Sequence, residues 1–146
     1  MSKPIQISQP LRAFMDVFMH RSMRSWSQFT KASGLSMPQF SVLMQLHYKG
    51  ACGMSEISER FDVTAAAASQ MVDKLVQAGY IERTEDPSDR RAKLLKLSAG
   101  GAKLVEDGIQ ERYRWMDELT SQLSAEEHRH VVEALTLLAE KAKTLE

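Results

Sequence analysis

The segment Ser55–Gly101, SEISERFDVTAAAASQMVDKLVQAGYIERTEDPSDRRAKLLKLSAGG, decides how this 146-residue chain is read. Ser55 is the natural N-cap of a short helix in which Ile57 and Phe61 are spaced to face a core. Asp62-Val63 makes a turn, and Thr64 caps a second helix, predicted over 64–78 and stopped by Gly79. On that helix Ala68, Met71, Val72 and Leu75 fall at i, i+3, i+4 and i+7 and form the buried stripe. The opposite face keeps Ala65, Ala66, Ser69, Gln70 and Asp73, which are small, mostly uncharged and able to hydrogen-bond. Two strand-like stretches follow, Tyr80–Thr84 and Ala92–Leu97, with Glu85-Asp86-Pro87-Ser88-Asp89-Arg90 as a turn-rich tip between them.

Working outward, long amphipathic helices flank this segment. The first, from Gln9 to Ala32, repeats Leu11, Phe14, Met15, Phe18, Met19, Met23, Trp26 and Phe29 at three- and four-residue steps, an apolar face wide enough to need covering on more than one side. Gly34 ends it. Ser36 with Gln39 forms a capping box for the next helix, which turns Phe40, Leu43, Met44 and Leu46 inward and breaks at Lys49-Gly50. After the ribbon a helix is predicted from Ser98 to about Leu123, with Leu104 or Val105, Ile109, Tyr113, Met116 and Leu119 inward. Ser124 with Glu127 caps a last helix whose stripe is Val131, Leu135, Leu138, Ala142 and Leu145. The expected fold is mainly α with a small β-hairpin wing (α+β). It is a single domain over 1–146, with a winged helix-turn-helix over 36–101 (wing 80–98) between terminal helices over 9–34 and 102–146.

The formal net charge is zero, but it is unevenly spread. Residues 1–49 carry six Lys/Arg against one acid and residues 83–103 six against three, whereas 50–82 carry two against five and 104–146 five against ten. Attraction to phosphate depends on the face presented, so an acidic tail does not cancel a basic ribbon. A helix enters the major groove only where its leading residues are small and polar enough to approach base edges. Thr64, Ala65, Ala66, Ser69 and Gln70 meet both needs. Gln70 suits an adenine edge, Ser69 and Thr64 reach bases or phosphate, and the alanines touch a thymine methyl. Lys74 completes the candidates on this helix. At the tip Arg90 and Arg91 are both suited to a narrow minor groove, and Lys93 and Lys96 to the backbone.

Asp86-Pro87-Ser88-Asp89-Arg90-Arg91 followed by Leu97-Ser98-Ala99-Gly100-Gly101 resembles the wing signature of the MarR family of bacterial transcription regulators, D-x-R before a strand and then L-[ST]-x-x-G. Ser69-x-x-Val72-Asp73-x-Leu75 with Gly79-Tyr80-Ile81-x-Arg83 is similar to the family's recognition helix and its exit. The resemblance implies a homodimer on an inverted-repeat operator in double-stranded DNA, with the terminal helices making the dimer, and the lack of a signal-peptide pattern or long apolar run leads to the expectation that it is cytoplasmic. It implies Arg91 in the minor groove, Asp89 orienting it through a charge-assisted bond, and Arg90 on phosphate. It also implies a repressor relieved by a small aromatic or phenolic ligand. Met15, Met19, His20, Met23 and Trp26 are the candidate lining of that pocket, unless they pack the dimer core.

Other functions find less in the residues. Cys52 is the single cysteine, which excludes an intrachain disulfide and leaves a thiol switch as one alternative. A winged helix used for protein contact is another. No nucleophile elbow or phosphate-binding glycine loop points to an enzyme, and no cofactor is expected. His128 and His130 diverge on one helix, so no metal site is expected within a chain. No apolar run of eighteen or more residues and no signal-peptide pattern appear, so no membrane partner is expected.

Overall fold

The computed structural model describes residues 7–145. The elements are α1 (Ser8–Ala32), α2 (Met37–Lys49), β1 (Cys52–Gly53), α3 (Met54–Arg60), α4 (Ala65–Gln77), β2 (Ile81–Glu85), β3 (Lys93–Leu97), α5 (Ala99–Thr120) and α6 (Ala125–Lys143). They form two compact units, one reaching Arg112 and the other starting at Tyr113. Among the described residues no helix is long and apolar enough to cross a membrane.

The core of the first unit is built around α2. Phe40, Val42, Leu43, Gln45 and Leu46 are all buried, so this helix is covered on most sides rather than along the one stripe its sequence suggests. Trp26 of α1 meets the Phe40 ring edge-on at 4.7 Å, and Phe29 approaches the same ring at 6.0 Å. Ile57, Ala68, Val72, Leu75, Ile81, Leu95 and Val105 close the cluster from the remaining elements. Ser36 and Gln39 make the expected capping box, with the Gln39 N–H to Ser36 Oγ at 3.3 Å and the Ser36 N–H to Gln39 Oε1 at 2.9 Å.

Three expectations are corrected. Ser55 does not cap α3: Gly53 does, and the Glu56 carboxylate accepts its N–H at 3.2 Å. The acidic residue reaches back to the free donor three positions away and sets the start two residues earlier. The wing is not a lone hairpin but a three-stranded antiparallel sheet in the order β1-β3-β2, with Cys52 paired to Leu95. Two residues carry no alternating pattern, so β1 leaves no mark in the sequence. In α5, Tyr113 and Leu119 are exposed, while Gly101, Val105, Gly108 and Trp115 are buried. Two glycines carry the buried phase of this helix, and a hydropathy pattern does not register them. Gly108 is required by space, because a Cβ there would lie 2.9 Å from the Phe29 ring and 3.0 Å from that of Phe40.

In the second unit α6 is closed by the Ser124–Glu127 box, with the Ser124 N–H to Glu127 Oε2 at 2.8 Å. None of its residues is buried in the single chain, so Val131, Leu135 and Leu138 of the expected stripe are open. Leu11, Phe14, Met15, Met19 and Met23 of α1 are exposed as well.

Candidate nucleic-acid interface

Helix α4, the candidate for the major groove, begins where Thr64 turns from extended backbone and its hydroxyl accepts the Ala67 N–H at 3.1 Å. The Thr64 hydroxyl proton stays free to donate outward. The helix ends at Gly79, whose φ of +80° suits glycine, with the Tyr80 N–H reaching back to the Leu75 carbonyl at 2.9 Å. Ala68, Val72 and Leu75 are fully buried beneath it. That leaves Thr64, Ala65, Ala66, Gln70 and Lys74 exposed and Ser69 and Asp73 half-buried, which matches the expected split except that Met71 is half-buried. Gln70 and Lys74, one turn apart, border a hollow shared with Ser36 and Gln39 at the start of α2.

Asp73 is not part of a free polar face. It pairs with the Arg83 guanidinium from β2, and the Ser69 hydroxyl lies 3.5 Å from its other oxygen. The pair ties α4 to β2. Both residues were visible in the sequence, but a pairing ten positions apart is not a local signal.

The wing tip is a run of turns built by two aspartates. Asp86 Oδ1 accepts the Ser88 hydroxyl at 2.7 Å and the Ser88 N–H at 2.9 Å, and these bonds hold its carboxyl below the usual carboxylate range. Asp89 Oδ1 accepts the Arg91 backbone N–H at 2.9 Å. The support that the resemblance expected from Asp89 to the Arg91 guanidinium therefore takes another form: Asp89 fixes the turn from which the side chain projects. Turn residues bond their own backbone two positions on, which is the common use of Asp in this setting. Arg90 and Arg91 are exposed, and neither has a carboxylate partner among the described residues.

The ribbon lysines differ from expectation. Lys93 pairs with its cross-strand neighbour Glu85 at 3.6 Å, and Lys96 with Glu82 at 3.3 Å, both following the strand register. These pairs are exposed and weak, so phosphate competes with them readily.

The base of the wing is clamped by the L-S-x-x-G stretch. Ser98 Oγ accepts the Gly101 N–H at 3.0 Å and donates to the Gly79 carbonyl, while the Ser98 N–H bonds the Tyr80 carbonyl at 3.1 Å. The exit of α4 and the start of α5 are thus joined through one side chain.

Met15, Met19, His20 and Met23 are exposed, whereas Trp26 is 7% exposed and belongs to the core, so it is withdrawn from the lining. Cys52 is buried at 3% exposure, and desolvation, with Glu56 adding to it, pushes its thiol up. A redox thiol needs exposure and a stabilised thiolate, and Cys52 has neither. Among the described residues no three His, Cys, Asp or Glu side chains gather to hold a metal.

Comparison with known proteins agrees with this geometry. The family model described as "MarR family" matches residues 35–93. The transcriptional repressor MdtR of Bacillus subtilis is 33% identical over 111 residues, 76% of this chain and 72% of the relative. The regulator MhqR of the same organism is 30% identical over 110 residues, 75% and 76% of the two chains. A solved mutant of Escherichia coli MarR complexed with operator DNA is 27% identical with a TM-score of 0.57, covering 97% of this chain and 99% of that one. A transcriptional regulator of Thermotoga maritima shares the fold with a TM-score of 0.84 at 24% identity, over 93% and 96% of the two chains. The chain belongs to the MarR family and is a winged-helix regulator of transcription rather than an enzyme.

Proposed function

We propose that this chain works as a cytoplasmic homodimer that binds an inverted-repeat operator and represses transcription until a small aromatic or phenolic ligand releases it. The observation that carries the DNA step is the pairing of a capped, small-residue helix face, Thr64 to Lys74, with a tip that presents Arg90 and Arg91 unpaired. Thr64, Ala65, Ala66, Ser69 and Gln70 read the major groove, Arg91 enters the minor groove, and Arg90, Lys74 and Lys93 meet phosphate. The E. coli relative solved with operator DNA supports this mode of binding.

The dimer reading is supported by the apolar faces of α1 and α6, which are too extensive for a solvated monomer. Two recognition helices related by a twofold axis would then read major grooves about 34–36 Å apart. The ligand step is assigned to Met15, Met19, His20 and Met23, which need a second protomer to close over them.

A mobility shift with DNA from the chain's own promoter region tests the reading. Arg91→Ala, folded and of unchanged oligomeric state, is expected to lose at least about tenfold in affinity, the loss of one charge-assisted minor-groove contact per wing. Equal affinity of variant and wild type would remove Arg91 from the interface. Binding that does not weaken steeply with salt would remove DNA as the partner.

A further inference from the structure

We propose that Asp73 fixes the direction of the Ser69 hydroxyl, so that Ser69 can only accept a hydrogen bond from DNA and selects an amino group on the base it faces. The proposal rests on the operator reading above, which places the exposed side of α4 in the major groove. It adds what one side chain of that helix reads and which residue decides it.

Ser69 and Asp73 are one turn apart on α4, and neighbours at i and i+4 share a face. The Arg83 guanidinium from β2 takes Asp73 Oδ1 and leaves Oδ2, which lies 3.5 Å from Ser69 Oγ. An ionised carboxylate has no proton to give, so in this contact the hydroxyl is the donor. A serine hydroxyl has one proton and two lone pairs. With the proton turned along the helix onto Asp73, only the lone pairs are left for a group that approaches from outside. A carboxylate is a stronger acceptor than a neutral base edge, so a base does not draw the proton back. Through Arg83 and Asp73, β2 takes part in a base contact made by α4.

The direction of one proton then becomes a base preference. In the major groove adenine N6 and cytosine N4 donate, whereas guanine N7 and O6 and thymine O4 accept, as phosphate oxygens do. Ser69 therefore separates adenine from guanine and cytosine from thymine, and it is unsuited to phosphate. Thr64, at the start of α4, has the opposite polarity. Its oxygen accepts the Ala67 N–H and its proton is free, so it suits phosphate or an oxo edge. Residue type does not distinguish these two hydroxyls; their partners within the chain do.

The test uses the full chain and DNA from its promoter region, with single base analogues placed across the stretch that the protein protects. Purine in place of adenine removes the N6 amino group, and 2-pyrimidinone in place of cytosine removes the N4 amino group. The cost to the duplex itself is common to both proteins compared, so at one such position per half-site the wild type should lose about fivefold more affinity than Ser69→Ala, the worth of one hydrogen bond. There the wild type should also prefer adenine over guanine, or cytosine over thymine, by at least about fivefold. Asp73→Asn separates the direction of the proton from a merely structural role. The amide oxygen must serve Arg83, so the amide nitrogen faces Ser69, which accepts from it and turns its own proton outward. This variant should lose or reverse the base preference. The readout is a ratio between two DNAs on one protein, so a general loss of affinity cancels. The proposal is overturned if Ser69→Ala keeps every analogue sensitivity of the wild type, if the position coupled to Ser69 is instead a 7-deazaguanine or a methylphosphonate, or if Asp73→Asn keeps the wild-type preference. Those outcomes leave the operator reading standing, whereas a wild type that does not bind its promoter DNA overturns both.

Discussion

Gly100 and Gly101 are adjacent in α5, yet alanine should have opposite effects at the two positions. A Cβ at Gly101 would lie 2.1 Å from the Tyr80 carbonyl oxygen, 3.0 Å from its carbon and 3.2 Å from Leu97 Cδ2. Relief needs a movement on the order of 1 Å in a close-packed region, and backbone cannot swing aside as a long side chain does. The oxygen that must move is the one that accepts the Ser98 N–H. Overpacking costs about 1–3 kcal/mol. Loss of the Ser98 bond adds about 0.5–1.5 kcal/mol. Alanine's better helix propensity returns about 1 kcal/mol, so the net loss is about 2 kcal/mol. At Gly100 the nearest atoms are the Gly79 oxygen at 3.5 Å and Ser98 Oγ at 3.7 Å, ordinary contacts, so Gly100→Ala should gain up to about 1 kcal/mol.

Thermal unfolding at one fixed protein concentration measures the contrast. Gly101→Ala should melt about 4–8 °C below wild type, since 1 kcal/mol is worth about 2–4 °C at this size. Gly100→Ala should melt at or slightly above wild type. Because the Ser98 clamp also sets the base of the wing, Gly101→Ala should bind operator more weakly even well below its melting point. Equal melting temperatures for the two variants would refute the reasoning, since they would show that the Tyr80 carbonyl yields at no cost.

Burial and the raised thiol of Cys52 predict that iodoacetamide labels it slowly at neutral pH in the folded protein and rapidly in denaturant; fast labelling of the native chain would reinstate the redox reading. The same shift sets a sign: the thiol's contribution to stability is fully present below its unfolded value and is lost as pH rises through the higher folded one. Glu127 has the opposite sign, because the Ser124 N–H and hydroxyl hold its carboxyl low, so the stability it contributes is present above the unfolded value and fades as pH falls through the folded one. Glu127→Gln should flatten that part of an acid titration of helicity, and a variant as acid-sensitive as wild type would count against the cap. Leu135→Glu, on the open face of α6, should convert a dimer to a monomer in sedimentation without loss of helix; a wild type that is monomeric at micromolar concentration would overturn the dimer reading.

What was legible in the sequence was written in bonds spanning a few residues. Ser36 with Gln39, Thr64 and Ser124 with Glu127 stand where expected, because a side chain bonding a backbone group three positions away depends on little else, and Gly79 does so because its positive φ suits glycine. The exposed face of α4 was legible for the same reason, since periodicity alone separates it from Ala68, Val72 and Leu75. What escaped depends on distant partners. Cys52–Gly53 becomes a strand only because Leu94 and Leu95 offer it an edge. The buried phase of α5 runs through Gly101 and Gly108, whose role is to leave room for Tyr80 and for the Phe29 and Phe40 rings. Trp26 shares its helix with the open methionines, and only the position of Phe40 shows that it faces inward.

The strands of the wing present less free positive charge than their lysines and arginines suggest. Three of their cations are matched at short range: Arg83 by Asp73, Lys93 by Glu85 and Lys96 by Glu82. Exposed pairs of this kind contribute about 0–1 kcal/mol each, so they do little for stability, and they weaken the strands' attraction to phosphate while leaving Lys93 able to exchange Glu85 for a phosphate. Arg90 and Arg91, which have no carboxylate partner among the described residues, stand on turns that Asp86 and Asp89 build by accepting backbone N–H groups. Carboxylates spent on backbone bonds shape the tip without sitting on the guanidinium groups. A wing arranged this way places its affinity in two side chains rather than along the whole ribbon. The salt dependence of operator binding should therefore respond to Arg90 and Arg91 far more than to Lys93 or Lys96.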